Sequence, residues 1–180
     1  MKTTDKIIVI DLEATCWKGV QPKGQVSEII EIGIALLDAN TGAITDNTGL
    51  LIKLTRSVVS QFCTELTTIT QELLETEGIS FDEACKFLAK NYWQYTWASY
   101  GAYDLKMIKS QCEIRKITYP LSQDHINVKE LFTEVKELNK KVGMNGALQI
   151  LNIPLEGTHH RGVDDAKNIA KVLYWCLKNK

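Results

Sequence analysis

The chain has 180 residues, 44% of them hydrophobic, and its 21 Lys and Arg nearly balance 22 Asp and Glu. That is the size of one ordinary domain with enough apolar content for a folded core. The near-neutral balance argues against binding nucleic acid through bulk basicity, although acids that hold metal ions would conceal local positive charge. Cysteines at 16, 63, 85, 112 and 176 form no C-x-x-C pair, so neither a disulfide framework nor a zinc site is expected. The opening "MKTTDKIIVID" has no signal-peptide core, and no apolar run reaches the length of a membrane span. The expectation is a soluble, cytoplasmic protein with reduced thiols, forming a single domain over residues 1–180.

"KIIVIDLEAT" reads as a strand whose apolar run, Ile7 to Ile10, serves both faces, as in the centre of a covered sheet. "EIIEIGIALLD" and "LLIKLT" read as two more strands on either side of the turn signal Asn40-Thr41-Gly42, giving an antiparallel meander. Ser80 and Glu83 have capping-box spacing and open a helix to about Tyr92. "WASYG" is then a short strand, "AYDLKMIKSQCEIR" a helix, "HINVKELF" a strand running into a helix, "GALQILN" a short helix and "DDAKNIAKVLYWCLKN" the last helix. The order predicts an α/β fold with strands first and alternating units after.

Chemistry-bearing residues fall on this frame at four places. Asp11 and Glu13 are two apart on the first strand, so they project side by side and need a cation, a shared proton or water; a solvated strand end is the plain alternative. Asp104 falls on the apolar stripe of its helix with Ile108 and Gln111, where it either meets a counter-ion or caps the helix start. In "THHRGVDDAKNIA" two frames share one spacing, His159 with Asp164 and His160 with Asp165. Asp165 lies at the edge of the stripe formed by Ala166, Ile169, Ala170, Leu173 and Cys176, whereas Asp164 projects among Lys167, Asn168 and Lys171. Asp165 is therefore the inward acid. The shared spacing pairs it with His160 and leaves His159 as a loop residue, though periodicity does not reach back into the loop to test that step.

The resulting pattern, D-x-E, D and H-x₄-D, resembles that of the DEDDh 3'-to-5' exonucleases. Beyond the acids, "DLEATCW", "EIIEIGIALLD", "QFCTELTTITQELLE", "YGAYD" and "HRGVDDAKNIA" look like the branch that holds the animal exonucleases trimming histone mRNA, small RNAs and ribosomal RNA, together with bacterial KapD-like proteins. The resemblance covers nearly the whole chain. It implies an RNase H-like mixed sheet, three antiparallel strands followed by parallel ones, flanked by helices. It also implies two divalent ions, Mg²⁺ or Mn²⁺, held by Asp11, Glu13, Asp104 and Asp165, with His160 as general base. The implied reaction removes 5'-mononucleotides from the 3' end of single-stranded or 3'-overhanging nucleic acid, with RNA favoured over DNA. A binding or docking module of weak activity, a DNA proofreading enzyme and a short-oligonucleotide exonuclease stand as alternatives.

Ala14 and Thr15 are expected, on the resemblance, to bring their backbone to the terminal sugar. Trp17 and Tyr103 are aromatics able to stack on a base, and ordinary packing is the alternative for all four. Lys18, Lys23, Lys106 and Arg161 could receive phosphates, while Trp93, Trp97 and Trp175 read as structural. Two departures stand out. The chain starts almost at its first strand, so the extra nucleic-acid-binding domain of the animal members is expected to be absent and their stem-loop preference is not carried over. "LTTIT" stands where the branch has L-T-G-I-T, placing Thr68 at a turn beside the substrate groove.

Overall fold

The computed structural model describes residues 5–180. A five-stranded sheet has the order β3-β2-β1-β4-β5, with β1 at Lys6–Ala14, β2 at Ile29–Asp38, β3 at Ile44–Leu51, β4 at Thr96–Ser99 and β5 at His125–Asn127. The β1–β2 and β2–β3 ladders are antiparallel, and β1–β4 and β4–β5 are parallel. This is the mixed sheet expected from the sequence.

Alternation along β1 sends its side chains into two cores. Ile8, Ile10 and Leu12 face α3 (Phe81–Tyr92) and α4 (Tyr103–Arg115), while Ile7 and Val9 face α5 (Val128–Val135), α6 (Met144–Ile150) and α7 (Gly162–Asn179). Each of these isoleucines and valines contributes about 1.5 to 3 kcal/mol by burial. The same alternation places Asp11 and Glu13 on the α7 side, at the strand end where the core gives way to a cleft. A register shift between Glu13 and Ala14 ends regular pairing there, as bulges beside functional sites commonly do.

Two readings need correction. The third strand is Ile44–Leu51, with half-buried and exposed positions alternating, rather than "LLIKLT". Its hairpin begins at the predicted turn, where Asp38 Oδ1 accepts from the N–H groups of Asn40 and Thr41 and Gly42 takes φ +78°. Ile52 makes only an isolated bridge to Ile79. The sequence also left unassigned two helices, α1 (Gln61–Thr67) and α2 (Gln71–Glu77). At seven residues each they are too short to display a period, and their formation rests on the caps Ser60 and Thr70. Among the tryptophans, Trp97 is fully buried and Trp175 packs edge-on against Phe132, but Trp93 is 65% exposed and is not part of the core.

Candidate active site

Three elements bring the four acids together. β1 supplies Asp11 and Glu13, the start of α4 supplies Asp104, and the first turn of α7 supplies Asp165. Asp104 Oδ1 accepts from the Leu12 N–H at 3.0 Å, which fastens α4 to β1 between the other two acids. No side chain caps α4, so the capping alternative for Asp104 fails. The acids, both histidines, Tyr100, Tyr103 and Met144 line one cleft of about 230 Å³, and carboxylate oxygens of Asp11, Glu13 and Asp165 lie within 4.8 Å of one another.

Such crowding is unfavourable for the charged forms. Burial, then Asp104, Glu13 and Asp165, raises the Asp11 carboxyl well above its ordinary value. Burial followed by Asp165 and Glu31 pushes Glu13 up to about 8. Burial raises Asp104 to about 6 against the opposing Leu12 N–H, Ser99 hydroxyl and Lys129. Asp165 is raised by burial and held back by the His160 N–H and by His159. A group of hard oxygen donors destabilised by its own charge fits a divalent cation of the Mg²⁺ or Mn²⁺ type.

The histidine loop differs from the expectation. His159 is not a bystander, because its Nδ1 lies 2.9 Å from Asp165 Oδ2. The same oxygen accepts the His160 backbone N–H at 2.9 Å. The two rings stack with centroids 3.9 Å apart, and His160 takes φ +65°. Among the described residues the His160 ring has no hydrogen-bond partner, and burial and His159 lower its pKa. Asp164 also differs: its Oδ2 accepts the Thr158 N–H at 2.8 Å, while Lys167 and Lys171 pair with Glu156. It closes the loop instead of pairing with its own helix.

The expected substrate contacts divide. Tyr103 lines the cleft and is 55% exposed. Trp17 is half-buried in the loop after β1, and Ala14 stands at the bulge with its carbonyl facing the Cys63 thiol. Thr15 is engaged within the chain: its N–H donates to Glu28 O, and its hydroxyl bridges Val26 O and the Glu28 N–H. The packing reading applies to it. Lys18, Lys23 and Lys106 are exposed, whereas Arg161 is paired with buried Glu31 and is not free for a phosphate.

Sequence reading missed three neighbours of the site. Lys129, at the start of α5, helps to hold Asp104 down and lies 5.5 Å from the centre of the Tyr100 ring. Phe62 is exposed on α1, which is tied to the end of β1 through the Ser60 hydroxyl on Cys16 O and the Cys63 thiol on Ala14 O. Glu31 is paired directly with Glu13 across the β1–β2 ladder. No spacing rule marks any of them, since each depends on pairing between distant segments.

Fold and site together have the arrangement of the DEDDh nucleases. The RNase_T exonuclease family matches residues 8–173, and the chain belongs to that family. Human 3'-5' exoribonuclease 1 is 28% identical over 97% of this chain and 53% of its own length, so the chain spans about half the length of that relative. The nuclease domain of 3'hExo, a DEDDh family member solved bound to rAMP, superposes with a TM-score of 0.86 at 27% identity, covering 99% of this chain and 94% of that one. A 3'-exonuclease solved for 3'-end recognition of histone mRNA stem-loop gives 0.84 at 27% identity, covering 97% and 82%. These likenesses bear out the DEDDh resemblance and the RNase H-like fold.

Proposed function

We propose that this chain is a 3'-5' exoribonuclease that uses two divalent ions, Mg²⁺ or Mn²⁺, and releases 5'-mononucleotides from single-stranded or 3'-overhanging RNA in the cytoplasm. One observation carries the reading: four acids from β1, α4 and α7 meet in one cleft and raise one another's pKa. Asp11, Glu13, Asp104 and Asp165 would hold the ions, which when bound activate water and neutralise charge on the phosphoryl and departing oxygens.

The chain's own groups do the rest. His160, whose pKa is lowered by burial and by His159 in favour of the neutral ring, accepts the proton of the attacking water at a ring nitrogen. His159 and the His160 N–H fix the direction of the Asp165 carboxylate. The Leu12 N–H does the same for Asp104. Tyr103, exposed in the cleft, offers an aromatic surface to the terminal base, and stacking of this kind is worth about 1 to 3 kcal/mol per base. The RNA preference draws on the exoribonuclease activity for which the human relative is named and on the ribonucleotide bound to the 3'hExo nuclease domain.

The test is a matched set of labelled RNA and DNA oligomers, single-stranded, duplex, 3'-phosphorylated and circular, with Mg²⁺, Mn²⁺ or EDTA. Stepwise release of 5'-mononucleotides from free 3' hydroxyls of RNA is expected. Cleavage of the circle, or full activity in EDTA, sinks the reading; metal-dependent activity on DNA alone would redirect it to a DNA exonuclease.

A further inference from the structure

Glu31 is a fifth acid beside the quartet. It stands opposite Glu13 in the ladder, on the sheet face that meets α7, with its side chain 1% exposed. Like charges directly across a ladder repel, and an unpaired buried carboxylate is costly. Arg161 answers both. Its Nε lies 3.1 Å from Glu31 Oε2 and its Nη2 3.1 Å from Oε1, a two-point fork, and the Gly162 N–H donates to Oε2 at 2.7 Å. Both oxygens are occupied, so Glu31 is withheld from the metal-binding group. The close approach depends on missing side chains: a Cβ on Gly33 would fall 1.8 Å from the Gly162 carbonyl carbon, and one on Gly49 would fall 2.9 Å from Glu31 Oε1.

Arg161 also stands at the junction of the site. Its carbonyl accepts the Asp164 and Asp165 N–H groups at 3.0 and 2.8 Å, which makes it the N-cap residue of α7, and the residue before it is His160 at φ +65°. Its remaining nitrogen, Nη1, donates to Thr68 Oγ1 at 3.4 Å. Thr68 caps the C-terminus of α1 at φ +64°, a conformation that a β-branched residue rarely adopts and that glycine, found there in the resembled branch, takes without strain. Strain of this kind persists where the surroundings hold it in place, and here the strained residue touches the arginine that fixes the catalytic loop.

We propose that Arg161 is a positioning residue: through Glu31 it clamps His160 and the Asp165 turn of α7 onto β2, and through Thr68 it ties them to α1. The proposal rests on the exonuclease reading above. Arg161 touches no reacting group and acts through the two residues on either side of it.

The deciding comparison is wild type against Arg161→Met, Arg161→Lys and the double variant Glu31→Gln/Arg161→Met, with 3'-labelled RNA and Mn²⁺. Arg161→Met alone leaves a buried carboxylate unpaired and is expected to lower the melting temperature. The double variant removes that charge, and the introduced amide still accepts the Gly162 N–H, so its melting temperature is expected to return close to wild type. If Arg161 positions the loop, the double variant still has kcat reduced about ten- to a hundredfold, with KM within about threefold of wild type and faster hydrogen exchange at amides 158–166. Arg161→Lys, which keeps the charge without the fork, is expected to fall between. Wild-type kcat or wild-type exchange in the refolded double variant overturns the proposal. If the wild type hydrolyses no substrate, the exonuclease reading fails, while the exchange comparison still decides the clamp.

Discussion

Removing one charge from the acid cluster should stabilise the metal-free protein, and Glu13→Gln isolates that effect. Glu13 is 9% exposed, and its carboxyl rises from 4.5 to about 8. A carboxyl whose folded pKa is raised gives stability that is complete below its unfolded value and is lost as pH rises toward the folded one. Between pH 5.5 and 7.5 that loss is roughly 2.5 kcal/mol for Glu13 alone, at 1.36 kcal/mol per pKa unit. For a chain of this size it corresponds to roughly 5 to 10 °C in melting temperature. Asp11 and Asp165, also raised, act in the same direction. Thermal melts in EDTA should therefore show wild type losing stability from pH 5.5 to 7.5. Glu13→Gln should melt higher than wild type at pH 7.5, with the gap narrowing in acid. Saturating Mn²⁺ should raise wild type well above the variant. A variant that melts lower than wild type in EDTA at pH 7.5 would falsify the view that these carboxylates are held together against their own repulsion.

Other consequences follow from neighbouring groups. His160→Ala should lower the hydrolysis rate by roughly two to four powers of ten. His159→Ala, which removes only the ring bond to Asp165, should cost about tenfold; the reverse order in steady-state kinetics would assign the base to His159. Asp104→Asn should abolish turnover yet leave a folded protein by circular dichroism, and residual activity above about 1% would mean that Asp104 is dispensable. Glu28, 2% exposed, is raised by burial but lowered further by the Thr55 hydroxyl and the N–H groups of Arg56, Ser57 and Thr55, and it pairs with Arg115 at 2.7 Å. Because its folded pKa is depressed, its contribution is present above the ordinary carboxylate range and lost as pH falls through the folded value. Glu28→Gln should cost about 3 kcal/mol at neutral pH in urea melts and much less in strong acid, and a pH-independent loss would refute the assignment.

Periodicity found the acids because it reports which way a side chain faces. Asp11 and Glu13 follow Ile7 and Val9 on one face of β1, and Asp104 and Asp165 lie on buried stripes with Ile108 and Ile169. The capping box at Ser80 and the turn at Gly42 were equally legible, being local bonds between residues three or four apart. The unread parts are contacts between distant segments. Nothing near His159 in the sequence shows that its ring, rather than that of His160, would turn onto Asp165. Nothing near Arg161 announces Glu31, 130 residues away. The edge strand escaped notice for a different reason, because "ITDNTGLL" is solvated on alternate positions and the more apolar "LLIKLT" beside it drew the assignment.

The cleft joins residues of the first strand and the last helix of the fold, with Asp104 of α4 between them, and this sets when it comes into being. Asp11 and Glu13 leave the ribosome early, but Asp165 and both histidines arrive only with α7, whose Ala166, Ile169, Ala170 and Leu173 must find the face of β1 and β2 already formed. Contacts so far apart in the chain form late in folding, after the loop between them has closed. Until that helix docks, the acids of β1 and α4 lack Asp165 beside them. Docking of α7 brings Asp165, the two stacked histidines and the arginine fork onto the sheet in one step.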